Sequence, residues 1–401
     1  MLDIILEEAK AIQDNIIKHR RFLHKSPEIG MTLPNTSKYV KEELTKLGYS
    51  PQSVGDYGVL ATIGQSKSGK TVLLRADMDA LPIPEYSDEP FKSTNGNMHA
   101  CGHDLHTSML LGAASILKNH EDKISGTIKL LFQPGEEIFK GASDMIKNGV
   151  LENPKVDLAM MLHVGTGMPL EHGTFSKPVK GAFTATSDTF KIEIQGKGGH
   201  GAMPEMAIDP IVPTANILLA LDSIKTKEIT AMEPVVLTVG QIHGGTAANI
   251  IANTAFLEGT IRTFNKDLRE KIKNRIVEVV NGIATAYRVK ADISFSNGCP
   301  SVMIDEYAAS IFNETVVEVL GSSSLVPFDT LAPGGKVMGS EDFAFITEHV
   351  PSIMSFLSSG DARKGFVYPP HHPKTRFSED PLYKGAAVYA GFALKYISKD
   401  K

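Results

Sequence analysis

The feature that most constrains this chain is a change in the order of its secondary-structure signals. From residue 36 onward, strand and helix patterns alternate. The helix "TSKYVKEELTKL" stops at Gly48, and the apolar runs "VLATIG" and "TVLLRA" read as buried strands. The helix "LHTSMLLGAASILKNH", the strand "GTIKLLFQ", the short helix "GASDMIKNGV" and the strand "VDLAMMLHV" follow. This rhythm predicts a doubly wound α/β mixed sheet. From about Ser187 to Phe295 the order becomes strand, helix, strand, strand, helix, strand, which is the split βαβ unit of a ferredoxin-like α+β sandwich. After Asn297 the helix–strand rhythm resumes and runs to a final helix, "YKGAAVYAGFALKYI". The expected organisation is therefore residues 1–185 and 297–401 as one α/β domain, with residues 186–296 inserted into it. A length of 401 residues suits two such cores.

Charge and composition exclude several classes of function. Hydrophobic residues make up 42% of the chain, charged residues 22%, and the formal net charge of −5 comes from mixed signs. No basic stripe points to nucleic acid or an anionic membrane. The start, "MLDIILEEAKAIQDNIIKHRRF", sets Ile5, Ala9, Ile12 and Ile16 at helical spacing with charges between them, an amphipathic helix rather than a signal peptide. No run of eighteen apolar residues predicts a membrane span. Cys101 and Cys299 lie too far apart in sequence to give a disulfide framework, so a cytoplasmic compartment is expected, with Cys299 structural.

Chemistry concentrates in "MHACGHDLH", where His99, Cys101, His103, Asp104 and His106 fall within nine residues. Four further segments carry residues of the same kind: "LRADMDALP" with Asp77 and Asp79, "FQPGEE" with Glu136 and Glu137, "LHVG" with His163, and "YPPHHP" with His371 and His372. Each is read as lying just after a strand, and in open α/β sheets the strand ends border the ligand crevice. Thiolate, imidazole and carboxylate form a donor set suited to Zn²⁺, Mn²⁺ or Co²⁺. Cys101 and His103 are spaced as adjacent ligands on a turn. Neighbouring carboxylates at 136 and 137 point apart, so one can bind metal while the other faces a water.

Blander readings stand beside these. His24, His99 and His106 suit core or surface positions, and the last two also suit hydrogen bonding to ligands. Asp104 can cap the helix beginning there or orient a ligand. Asp77 and Asp79 can form a turn or orient a ligand or water. "GKGGHG" at 196–201 satisfies a nominal dinucleotide fingerprint, but "AMPEMAIDP" intervenes before the helix and no acidic residue closes the next strand. A zinc deaminase would need H-x-E and P-C-x-x-C, and neither is present.

Taken in order, "RADMDALP", "MHACGHDLHTSMLLGAA", "FQPGEE", "GKGGHGAMP", "GGTAANIIANTAFLEGTIRTF", "MGSEDF" and "HHP" resemble the M20 metallopeptidase family. The likeness is strongest to its amidohydrolase branch of aminoacylases, hippurate hydrolases and indole-acetyl-amino-acid hydrolases, and it extends from about Arg21 to Lys395. The resemblance implies two divalent cations per subunit (Zn, Mn, Co or Ni) held by Cys101, His103, Glu137, His163 and His371. It implies Glu136 as general base and His200 entering a partner subunit's site to polarise the scissile carbonyl; Asp79, whose segment lies beside these residues, is expected in the catalytic set as a group orienting a ligand or water. Asn249 and Arg262 would hold the substrate's carboxylate, and a homodimer would form through the inserted domain, which acts as a lid. The implied reaction is hydrolysis of N-acyl amino acids, with dipeptidase or carboxypeptidase activity, or metal binding without catalysis, as alternatives. Two positions depart from the branch: Gly135 stands where many members have alanine, loosening the turn, and Pro370 stands where many have a hydrophobic residue.

Overall fold

The computed structural model describes residues 2–64, 69–168, 170–330 and 333–398. They divide into two compact units, Met1–Phe183 with Val302–Lys336 and Glu341–Lys401, and Thr184–Ser301 with Val337–Ser340.

The first unit is built on an eight-stranded mixed sheet. Its order is Gln52–Val54, Gly58–Ile63, Thr127–Gln133, Thr71–Asp77, Leu158–Gly165, Ser352–Ser358, Phe175–Lys177 and Leu325–Pro327. The central four strands run parallel, and Gly58–Ile63 pairs antiparallel at their flank. Every residue of these four parallel strands is buried, which explains their continuous apolar reading. The chain leaves Thr71–Asp77 through the helix His103–Asn119, pairs on one side with Thr127–Gln133, and later returns to the other side with Leu158–Gly165. The order of strands therefore reverses at Thr71–Asp77, and a crevice opens at its carboxyl end.

Helices His103–Asn119, Leu382–Ser398 and Gln13–Lys25 pack on one another beside this strand. In the first two nearly every residue is buried, including the polar first turn of His103–Asn119 that carries His103, Asp104 and His106. At the N-terminus the expected single helix is two, Leu2–Ala11 and Gln13–Lys25, broken at Ile12 with φ −101° and ψ 6°. The break still leaves Ile5, Ala9 and Ile16 fully buried.

The second unit holds a four-stranded antiparallel sheet ordered Val235–Gly244, Thr254–Thr263, Ser187–Gln195, Lys290–Cys299. Helices Ile211–Ser223 and Lys266–Tyr287 cover it. Numbered by sequence the strands run 2-3-1-4, the ferredoxin-like arrangement that the element order predicts. Phe190, Ile192, Leu257 and Ile261 from the sheet meet Ile217, Leu221, Ile272 and Ile276 from the helices in its core. Asn265 caps the longer helix by accepting from the Asp267 and Leu268 N–H groups.

Two glycines fix the turns that matter most. Gly102 has φ +92°, and a Cβ there would stand 2.3 Å from Val164 Cγ2, so only glycine fits between Cys101 and His103. Gly135 has φ +75°, and its missing Cβ would stand 2.2 Å from Met31 Sδ. The methionine sulfur fills the place an alanine side chain would take. Gly135→Ala is therefore expected to destabilise the protein by about 1–3 kcal/mol through overpacking, with Met31→Ala in the same chain restoring part of the loss. Urea unfolding of the single and double variants measures both.

Candidate metal centre

Residues from all five sequence segments place donor atoms at the crevice beside Thr71–Asp77. Cys101, His103 and His163 place one donor atom each within 4.8 Å of one another, as do Cys101, Glu137 and His371, and His103, Glu136 and Glu137. Cys101 Sγ lies 3.5 Å from His163 Nε2, and His371 Nε2 lies 3.5 Å from Glu137 Oε2. His103 Nε2 stands 3.9 Å from oxygens of both Glu136 and Glu137. Donors sharing one cation at roughly 2.0–2.3 Å each stand some 3–4 Å apart. The spacing fits that demand.

Hydrogen bonding decides which histidines can ligate. His103 donates from Nδ1 to the Asp79 carbonyl at 2.8 Å, leaving a buried Nε2 with no hydrogen-bond partner. His163 donates from Nδ1 to the Val164 carbonyl at 2.7 Å, so its Nε2 lone pair faces Cys101. Both follow the pattern of imidazoles whose second nitrogen is anchored by backbone. His106 differs: its Nε2 accepts the Val164 N–H at 2.8 Å and its Nδ1 donates to Asp77 at 2.6 Å, so neither nitrogen is left to ligate. Glu137 Oε1 is also buried without a hydrogen-bond partner. Orphaned atoms of this kind are costly to bury unless something binds them. The residues present fit divalent cations.

Neighbouring groups hold this set in place. The Asp79 carboxylate accepts the N–H groups of Glu136 at 3.0 Å and Glu137 at 3.1 Å, making it a positioning group for the glutamate turn. Asp77 lies between Arg75 and His106. His371 adopts φ +65°, unusual for a non-glycine residue, with its N–H on the Ala100 carbonyl at 2.9 Å. His372 stacks on Tyr368 and its Nδ1 accepts the Lys374 N–H, so of the two neighbouring histidines it is His371 that meets Cys101 and Glu137.

Two expectations are corrected here. His163 lies within Leu158–Gly165 rather than after it, because pairing with Ser352–Ser358 continues to Gly165. Asp104 is not a helix cap: Gly102 occupies that position, and the Asp104 carboxylate is taken by Arg20 Nε at 3.0 Å and His24 Nδ1 at 2.8 Å. His99 is buried, as its core reading expects; among the described residues it shares no ligand group with the others and neither ring nitrogen has a hydrogen-bond partner.

The remaining predicted residues belong to the second unit. His200 pairs with Ile250 in a two-stranded ladder, is exposed, and accepts the Ala202 N–H at Nδ1, which leaves its proton on Nε2. The Asn249 carbonyl accepts the Gly201 N–H beside it. Arg262 donates to the Met338 carbonyl at 2.9 Å and Ser340 Oγ at 3.2 Å.

Arg75, Gln133, Glu341 and Asp342 were not singled out by sequence. Arg75 is fully buried and bonds Asp77 at 2.7 Å, Asp342 at 2.7 Å, Glu341 at 3.1 Å and Gln133 at 3.1 Å. The signal available was a charged residue inside the apolar strand run "TVLLRAD".

Electrostatically the centre is short of positive charge. Burial, with Glu341, Glu137 and Asp342 nearby, pushes the Glu136 carboxyl well above its usual range. Burial with Asp79 and Asp77 pushes Glu137 up to about 7, and burial pushes Asp342 up to about 7 against the pull of Arg75. Burial and Glu137 also push the Cys101 thiol up.

A mixed α/β scaffold with thiol, imidazole and paired carboxylates gathered at its strand ends defines the class of metal-assisted hydrolases. The profile of peptidase family M20/M25/M40 matches residues 73–395. Thermostable carboxypeptidase 2 of Saccharolobus solfataricus is 38% identical, with both chains covered in full. N-acetyl-L-cysteine deacetylase of Bacillus subtilis is 34% identical, covering 94% of this chain and 86% of that one. A crystal structure of a Bacillus subtilis dinuclear metal-binding peptidase of the M20 family superposes with a TM-score of 0.80 at 29% identity, covering 97% of this chain and 99% of that one. This chain belongs to peptidase family M20/M25/M40 and is a hydrolytic enzyme. Among the described residues no helix is long and apolar enough to cross a membrane.

A carboxyl raised on folding contributes stability at low pH and loses it as pH climbs through the folded value. Glu137 and Asp342 lose theirs progressively from the ordinary carboxylate range up to about pH 7. Burial lowers His99 to about 3, His163 well below its ordinary value and His371 below its own; these oppose the slope only near its lower end, where unfolded imidazoles are still partly protonated, while His103, raised well above its ordinary value beside Asp77, adds to it. Chelator-treated protein should therefore lose about 1 kcal/mol or more per pH unit between roughly pH 6.5 and 7.5, and Zn²⁺ or Mn²⁺ should flatten the slope. Calorimetry showing metal-free stability constant or rising across that window would contradict this electrostatic picture.

Proposed function

We propose that this enzyme hydrolyses the amide of N-acyl amino acids at a centre of two divalent cations held by Cys101, His103, Glu137, His163 and His371. The observation that carries the reading is the glutamate pair. Both amides rest on one carboxylate, Asp79, and both side chains reach within 3.9 Å of His103 Nε2, Glu137 also meeting Cys101 and His371 and Glu136 also meeting the Asp342 N–H. One carboxylate serves as ligand and the other moves the proton. The relative named for N-acetyl-L-cysteine deacetylation supports an acyl amino acid as substrate, and the dinuclear relative supports two cations.

When bound, such cations acidify water and draw charge from the scissile carbonyl. Glu136 accepts the proton of the attacking water and returns it to the leaving amine. Asp79 keeps the Glu136 and Glu137 backbone aligned. His200, carrying its proton on Nε2, donates to the carbonyl oxygen as negative charge develops there, a contribution of about 3–4 kcal/mol by comparison with single oxyanion donors. Arg262 and Asn249 hold the amino acid's carboxylate, the former through a charge-assisted contact. His200 serves the site of a second copy, so the active form is a homodimer through the second unit, which also acts as a lid.

The 38% identical carboxypeptidase favours a second reading, cleavage of dipeptides or C-terminal residues. Turnover of N-acetyl-methionine compared with a dipeptide panel, in Zn²⁺, Mn²⁺ or Co²⁺ added back to apo-protein, separates the two. Glu136→Gln should retain both metals and lose about 10³-fold in turnover; loss of metal in parallel would reassign Glu136 as a ligand. Cys101→Ala should lower metal stoichiometry. Mixed dimers of His200→Ala and Glu136→Gln protomers should recover activity, and a complete absence of recovery would place each site within one chain.

A further inference from the structure

The turn that carries Glu136 is gripped from two sides. Asp79 holds the Glu136 and Glu137 amides. Asp342 approaches from a segment some two hundred residues later. One of its oxygens accepts Arg75 Nη2 at 2.7 Å and Gln133 Nε2 at 2.8 Å; the other accepts the Ala142 N–H at 2.8 Å and Gln133 Nε2 at 2.9 Å. Gln133 enters the turn and Ala142 leaves it, so a single carboxylate ties its two ends. The Asp342 N–H also points at Glu136 Oε1, at 3.4 Å. Arg75, Asp342 and Gln133 are all fully buried, and Arg75 Nε donates to Gln133 Oε1, closing the ring.

We infer that Arg75 and Asp342 are positioning residues that aim the Glu136 carboxylate by closing residues 133–142 over it. The inference rests on the reading of Glu136 as the proton-transfer group. A buried ion network is by itself weak evidence of a stabilising role, because desolvation offsets much of the attraction. What this one does geometrically is fix the entry, the exit and one oxygen of a reactive side chain. Reactive groups need support within about 0.5 Å of the productive position, and misplacement by about 1 Å costs on the order of 100-fold.

Asp342→Asn, in the metal-loaded full-length enzyme, tests the inference. Its kcat should fall by roughly 30- to 100-fold, with KM within about threefold and metal content unchanged. A crystal structure of the variant should show the Glu136 carboxylate displaced. As a comparison, Asp188→Asn breaks the buried pair with Arg269 in the other unit and should lower the melting temperature with kcat intact. A kcat for Asp342→Asn at the wild-type level, or one that falls only in proportion to lost metal, overturns the inference. If that variant does not fold, Gln133→Met should give the same kcat-against-KM split, and its failure to do so is equally decisive. Should the wild-type enzyme hydrolyse neither N-acyl amino acids nor dipeptides, the functional reading fails separately. The crystal structure then decides the clamp alone, an unmoved Glu136 carboxylate refuting it.

Discussion

Asp77, Asp79, Glu136, Glu137, Glu341 and Asp342 crowd into one largely buried region, and the rest of the centre is arranged around the cost of that crowding. A carboxylate removed from water needs donors or counter-charge. Asp79 obtains two backbone N–H groups, Asp77 an imidazole and a guanidinium, and Asp342 a guanidinium, an amide and a backbone N–H. Glu136 and Glu137 obtain least, and burial with their acidic neighbours raises both carboxyls above the usual range. The geometry therefore sets up a deficit of positive charge beside the orphaned Nε2 of His103. Divalent cations are the chemical species that correct it.

Parallel strands make the crowding possible. In Thr71–Asp77, Thr127–Gln133 and Leu158–Gly165 the carboxyl ends all face one way, so Asp77, the glutamate turn and His163 reach the same crevice from different strands. Rigidity comes from backbone rather than from long side chains. The Asp79 and Val164 carbonyls fix the tautomers of His103 and His163, and Gly102 allows the Cys101–His103 turn to lie against Val164. The left-handed backbone at His371 and the buried Arg75 ring are costs accepted at the same place, where function and stability pull apart.

Much of the scaffold was legible because its signals are local. Lys266–Tyr287 falls where the second helix of the split βαβ order is expected, since its apolar stripe is a local signal. The N-terminal helix was read as continuous because its apolar spacing survives the break at Ile12. Cys101, His103, Glu136, Glu137, His163 and His371 stood out by residue type beside strand patterns. Arg75, Gln133 and Asp342 did not, for their meaning lies in pairings across sixty to nearly three hundred residues. Asp104 looked like a cap by position, yet Arg20 and His24 from an earlier helix claim its carboxylate.

By itself, the sequence determined which segments become strands and helices, the split βαβ order of the second unit, and which side chains are able to bind a cation. Periodicity and side-chain chemistry are properties of neighbouring residues, and they survive without a fold. Only tertiary structure decided which nitrogen of each histidine stays free, that His106 is spent on Asp77 and Val164, that His371 rather than His372 meets Glu137, and that Asp342 closes the Glu136 turn. Those outcomes depend on hydrogen bonds a few ångströms long between residues remote in sequence, and such bonds exist only after the chain has packed.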